Sequence, residues 1–204
     1  MKKLLLSAGT AILLSTASLT TSIAHAADYI IDTKGAHASI NFKIQHLGYS
    51  WLTGRFNTFD GKFNYDASKP TESAIEVNIE TKSIDSNHAE RDKHIRGSDF
   101  LNVEKFAKAS FSSTRWEDLG GGKAKLYGDL TFFGQSNEVV IDVEHIGGGA
   151  DPWGGWRQGF EGRATIEPAL WGLDLTKKLG PATKEVELML TVEGIRKKDL
   201  RQKK

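Results

Sequence analysis

Apolar residues recur at every second position over stretch after stretch of this chain, and that period of two constrains its fold more than any other feature. Ile40, Phe42 and Ile44 alternate with Ser39, Asn41, Lys43 and Gln45. Ile75, Val77 and Ile79 do the same against Glu76, Asn78 and Glu80, and Leu126, Leu130 and Phe132 against Lys125, Asp129 and Thr131. Val139, Ile141 and Val143, then Val186, Leu188, Leu190 and Val192, complete the series. Successive side chains on a strand point to opposite faces, so each stretch has one apolar face and one wet face, as an antiparallel sheet over a core requires.

Turn signals separate the stretches. Phe59-Asp60-Gly61-Lys62 predicts a hairpin, because Asp-Gly tolerates the positive φ of a type I′ turn. Gly120-Gly121-Gly122 and Gly134-Gln135-Ser136-Asn137 predict two more. The count comes to about eight strands without a linker or a composition shift, which is one all-β domain, a closed up-and-down barrel or a sandwich. Asn87 as cap, Glu90 reaching back from N3 and Gly97 as stop predict a short helix over His88 to Arg96. A second helical turn is expected within Pro168 to Lys177, so that two short helices lie over the ends of a barrel.

The first residues belong to a different kind of segment. Lys2 and Lys3 precede an apolar stretch from Leu4 to Leu14, too short to span a bilayer, and Ala24-His25-Ala26 fits the small-residue rule of a signal cleavage site. Residues 1–26 are therefore expected to be a cleaved signal peptide, 27–195 the barrel domain and 196–204 a basic tail, in a bacterial periplasm. The absence of cysteine excludes both a disulfide framework and thiol catalysis.

Charge divides unevenly. Residues 196–204 carry six bases and one acid, while 27–195 carry 19 bases and 25 acids, a net of −6. An acidic body argues against nucleic acid as a partner. The tail's net of +5 suits weak contact with an anionic membrane.

Catalytic signatures are missing. The chain has no Gly-x-Ser-x-Gly elbow, no Gly-x-x-x-x-Gly-Lys loop and no His-Glu-x-x-His. His88 and His94 stand six apart, roughly 120° around a helix, so they form no metal clamp, and no metal or other cofactor is expected. The inward parity of Phe42, Phe111, Leu130 and Phe132 fits an eight-stranded barrel, and both a packed interior and one holding a single ligand satisfy it.

Longer runs carry a resemblance. Phe42-Lys43-Ile44-Gln45-His46-Leu47-Gly48-Tyr49-Ser50-Trp51-Leu52, Asn87-His88-Ala89-Glu90-Arg91-Asp92-Lys93-His94, Ser98-Asp99-Phe100-Leu101-Asn102 and Asp151-Pro152-Trp153-Gly154-Gly155 resemble the YceI-like family of periplasmic proteins. Gly159-Phe160-Glu161 and Leu179-Gly180-Pro181-Ala182 extend the match in order. Phe106-Ala107, Gly134 to Glu138 and a longer basic tail depart from the family pattern. The resemblance implies a lipocalin-like, extended antiparallel β-barrel around a polyisoprenoid or similar long amphiphile, with no catalytic residues.

Strand parity and loop position then select the expected ligand-binding residues. They are Phe42, Ile44, His46, Trp51, His88, Arg91, His94, Phe100, Phe111, Leu130, Phe132, Trp153, Arg157 and Trp171. The polar head of the lipid is expected at the barrel mouth near His46, His88, Arg91, His94 and Arg157. The function expected is a binding or carrier protein for an isoprenoid lipid of polyprenyl or quinone type, with a link to envelope stress. The alternatives are a non-binding stress or scaffold protein with a packed barrel, and an enzyme acting on a lipid head with a histidine as general base.

Overall fold

The computed structural model describes residues 26–202. Of the expected signal peptide only Ala26 falls among them, so that segment lies outside the described residues. Strands follow one another as β1 (Ala27–Ile31), β2 (Ser39–His46), β3 (Ser50–Phe56), β4 (Phe59–Tyr65), β5 (Ala74–Glu80) and β6 (Ile84–Asp85). After helix α1 (Ala89–Arg96) come β7 (Lys108–Gly120), β8 (Lys123–Phe132), β9 (Gln135–Ala150) and β10 (Trp156–Ile166). Helix α2 (Thr176–Leu179) precedes β11 (Val186–Arg196).

Among the described residues every strand pairing is antiparallel, in the order β1-β4-β5-β7-β8-β9-β10-β11, and β11 pairs back with β1 to close the barrel. The short early strands are halves of longer ones. One end of β11, Gly194 to Arg196, pairs with β1, and its other end, Val186 to Thr191, pairs with β2. β3 and β4 likewise border β2 and β1 in turn, with β6 and β5 beyond them. Three interrupted strands and five continuous ones therefore make an eight-stranded up-and-down barrel, one of the two architectures the alternation allows and the one the family resemblance implies.

The interruptions have local causes. Between β1 and β2 the Asp32 carboxylate accepts the Gly35 amide at 2.9 Å, and Ala36 turns through φ +56°. Between β3 and β4 the amides of Asn57 and Thr58 leave the sheet ladder for the carbonyl and hydroxyl of Ser83, at 3.1 and 3.0 Å.

Four sequence expectations shift. Phe59 to Lys62 is no hairpin, because β4 runs straight through it. Gly61 is needed there for packing, since a Cβ would lie 2.6 Å from both Ile31 Cδ1 and the Glu76 carbonyl oxygen. The β8–β9 turn is Phe133-Gly134, at φ +49° and +78°, so Gln135 to Asn137 already belong to β9. Helix α1 is capped by His88, whose Nδ1 accepts the Arg91 amide at 3.2 Å, and not by Asn87, which turns through φ +63°. Gly97 ends the helix as expected. The second helical segment is split into a 3-10 turn over Pro168–Trp171 and α2.

Candidate functional site

The inward faces of the strands surround an apolar interior in two adjoining sections, both bordered by Ile40, Ile79, Leu130 and Leu188. The inner section measures about 130 Å³ and lies against Phe63, Tyr65, Phe111, Trp116, Ile141, Val143 and Phe160. The outer section measures about 480 Å³ and runs past Phe42, Ile44, Ala109 and Phe132 to α1, α2 and the β2–β3 hairpin.

Aromatic rings close the inner end. Tyr29 stacks on Phe63 at 4.9 Å, and Phe63 meets Phe160 edge-on at 5.6 Å. Tyr65 meets the other side of this group, 5.0 Å from Phe160 and 5.3 Å from His145. The phenols of Tyr29 and Tyr65 titrate above their ordinary range, chiefly because burial penalises the phenolate. The rings thus pack against one another and fill this end of the interior.

The outer end is different. His46, Leu47, His94, Lys178 and Leu179 line the cavity and are also exposed, which places the opening among them. Arg91 and Gln45 add polar groups to the same wall. The His94 ring stands edge-on to Phe100 at 4.9 Å, and Lys178 lies 5.6 Å from that ring and 3.5 Å from the Asp99 carboxylate.

Polar bonds hold α1 beside this opening. The buried Asp92 carboxylate accepts the Ser86 amide at 2.8 Å, Arg91 Nε donates to Ser86 Oγ at 2.7 Å, and Arg96 Nε donates to the Lys82 carbonyl at 2.8 Å. Its apolar contact with the cavity comes through Ile95.

The residues selected from sequence fall into two groups. Phe42, Ile44, His46, Arg91, His94, Phe100, Leu130 and Phe132 come together around the outer section, and Phe111 borders the inner one. Trp51, His88, Trp153, Arg157 and Trp171 do not line the interior. Trp51 stands on the outer face beneath Lys43 Nζ, 3.9 Å from the ring centroid. His88 serves as helix cap. Trp171 is buried in the core, its Nε1 donating to the Leu130 carbonyl at 2.8 Å.

Arg157 is not at the mouth with the histidines. It pairs with Asp32 at 2.7 Å, with Asp151 at 2.9 Å and with Glu193, joining the β1–β2 break to the β9–β10 hairpin. Burial alone would raise the Asp32 pKa, but hydrogen bonds from Arg157, His37 and the Gly35 amide outweigh it and hold the carboxyl at about 2. Asp32, His37 and Glu193 bring ligand atoms within 4.8 Å of one another, the spacing of a metal site. The guanidinium of Arg157 already supplies the cation there.

Sequence reasoning missed Trp116, Phe160 and the Leu173, Leu175 and Leu179 group. A register shift between Ser113 and Arg115 inverts the parity of Trp116. Leu175 and Leu179, at helical spacing i, i+4, were a readable signal for a lid helix facing the cavity.

A closed antiparallel barrel around an apolar cavity defines the class: lipocalin-like barrels. The YceI-like domain model matches residues 29–194, and the chain belongs to that family. A UPF0312 protein of Shewanella sp. strain W3-18-1 is 54% identical over 197 residues, covering 97% of this chain and all of that protein. One from Ectopseudomonas mendocina strain ymp is 56% identical over 173 residues, or 85% of this chain and 90% of its own. Among solved structures, BcnA of Burkholderia cenocepacia superposes with a TM-score of 0.71 at 20% identity, over 80% of this chain and 98% of BcnA. A polyisoprenoid binding domain from Saccharophagus degradans does so with a TM-score of 0.61 at 14% identity, over 84% of this chain and 99% of that domain.

Proposed function

We propose that this protein is a non-enzymatic periplasmic binding or carrier protein that holds one long isoprenoid lipid, or a comparable amphiphile, inside its barrel. The observation that carries this reading is the asymmetric interior: an apolar tunnel plugged by rings at one end and opening among polar side chains at the other. The hydrocarbon occupies the sections bordered by Phe111, Ile141, Leu130 and Leu188. Each methylene moved there from water contributes about 0.8 kcal/mol before ordering costs, so affinity rises with chain length. The polar head stays at the mouth, within reach of His46, Arg91, His94 and Lys178. A polyisoprenoid binding domain among the structural relatives supports the same ligand class.

Organic extraction of purified protein followed by mass spectrometry tests the reading. A lipid at one per chain, with a long unsaturated hydrocarbon, is the expected result. Protein that is empty after native purification, and that takes up no prenyl lipid when offered it, would favour the packed scaffold. Chemical change in an offered lipid would demand an enzyme.

A further inference from the structure

The β2–β3 hairpin stands at the mouth and presents a leucine where a solvated turn has no use for one. The Tyr49 amide donates to the His46 carbonyl at 2.9 Å, and the two residues between them are left-handed, Leu47 at φ +52° and Gly48 at φ +77°. Positive φ at both central positions is that of a type I′ turn, whose first central position favours asparagine, aspartate or glycine. Leucine there sets its Cβ against the following carbonyl oxygen, and it gains nothing from water, although it is 52% exposed. Such strain persists where something else uses the residue.

The neighbouring residues are graded by polarity along the hairpin. Tyr49 follows the turn at 87% exposure, and Trp51, at 49%, pairs with Gln45. Lys43 lies two residues further back on β2, with its Nζ 3.9 Å from the centroid of the Trp51 ring. From Lys43 to His46 at the end of the strand is about 10 Å. Aliphatic tip, amphipathic ring and ammonium follow the order in which a bilayer interface passes from acyl chain through headgroup to water. Leu47 and Leu179 are exposed and also line the outer section, so the apolar rim runs without a break into the cavity. The ammonium groups of this rim are paired, Lys43 with Glu187 at 3.0 Å and Lys178 with Asp99 at 3.5 Å. Apolar burial, and not net charge, is what this surface offers.

We infer that the β2–β3 hairpin tip and Leu179 form a docking surface for a phospholipid bilayer, without a requirement for anionic lipid. Leu47 enters the acyl boundary, while Tyr49 and Trp51 lie at headgroup level. A docked barrel faces the membrane with its mouth, so a hydrocarbon chain leaving the bilayer passes along Leu47 and Leu179 into the outer section without crossing water. That route rests on the lipid-carrier reading. The docking itself belongs to the surface and is read on protein stripped of lipid.

The test uses the whole mature protein, stripped of lipid, with vesicles of phosphatidylcholine or of phosphatidylglycerol, each with brominated acyl chains that quench nearby tryptophan. Binding and quenching on both are expected, little changed by added salt because the charges of the rim are paired. Leu47→Asn suits the turn, so it should unfold at the same urea concentration or a higher one. It should nevertheless bind vesicles about tenfold more weakly, the loss of one leucine burial. Trp51→Phe keeps a ring and the docking but removes the quenched fluorophore. Trp153→Ser, on the β9–β10 hairpin at the other end of β11, leaves quenching as it was.

Binding to neither vesicle type would overturn the proposal, as would binding to phosphatidylglycerol alone. Quenching kept in Trp51→Phe and lost in Trp153→Ser would overturn it by showing that the plugged end docks. Undiminished binding by folded Leu47→Asn protein would do the same, since the leucine would then have no membrane role. Light scattering without vesicles addresses a second copy: a dimer that Leu47→Asn splits would make this face a self-interface and sink bilayer docking. Lipid extraction keeps the two readings apart. One lipid per chain without docking retires this surface alone, and docking by a protein that takes up no lipid retires the carrier alone.

Discussion

The two ends of the barrel are made from the same strands and behave as different materials. At the plugged end, Tyr29, Phe63, Tyr65, Trp116 and Phe160 fill the cross-section with rings in stacked and edge-on contact. At the mouth, Ile44, Ala109, Phe132 and Val186 leave about 480 Å³ unfilled, and α1 covers the space on polar bonds more than on packing. Closure of a barrel therefore fixes how many strands surround the axis but not whether the space within is core or cavity. Side-chain volume at each level decides that.

If the plug is core, its substitutions are the costliest in the molecule. Phe160→Ala removes the ring that touches Phe63, Tyr65, Trp116 and His145, and should destabilise by about 3–5 kcal/mol in urea unfolding. Phe100→Ala, at the mouth, should cost under about 1 kcal/mol in stripped protein, because the site is part-exposed and lines a space already open. Equal losses at the two positions would break the comparison.

The Arg157 cluster ranks next. Arg157→Met leaves Asp32, Asp151 and Glu193 without their shared cation. It should cost about 2 kcal/mol, short of the roughly 3–5 kcal/mol of a fully buried pair because the cluster touches solvent. Its acid response follows from the depressed Asp32 pKa. Stability from this group is fully present above the unfolded carboxyl value of about 3.9 and is lost as pH falls through about 2. Urea midpoints from pH 5 to 2 should therefore decline less steeply in Asp32→Asn than in the parent protein. Parallel curves would mean that Asp32 titrates alike in both states.

A smaller effect sharpens the account of the mouth. His88→Ala removes the cap of α1 and should cost about 0.5–1 kcal/mol, while quickening release of bound lipid through the loosened wall. Unchanged release kinetics would mean that α1 does not gate the opening.

The strands were legible because periodicity reports directly on which face is buried, and Ile40 to Ile44 or Val186 to Val192 carry it without interruption; that they close into a barrel instead of a sandwich followed from the family resemblance. The hairpin expected at Asp60-Gly61 was not there, since glycine also marks a close approach between strands and sequence does not distinguish that from a turn. The cavity-lining residues on strands, Phe42, Ile44, Phe111, Leu130 and Phe132, followed from parity. The loop residues did not: Trp51, Trp153 and Arg157 are placed by hairpin length and ion pairing, which depend on partners far away in sequence. Arg157 meets Asp32 across 125 positions.

Ala109 offers the most direct test that the interior is a binding cavity. Its side chain is buried, pairs across from Ile79 and borders the outer section. Ala109→Phe should leave the stability of stripped protein within about 0.5 kcal/mol of the parent, since the ring enters open space. Competition between a long and a short prenyl chain should then shift towards the short one, because the ring takes room the long chain needs. A loss of about 1–3 kcal/mol in the stripped protein, the cost of overfilling a packed core, with chain-length preference unchanged, would contradict the account.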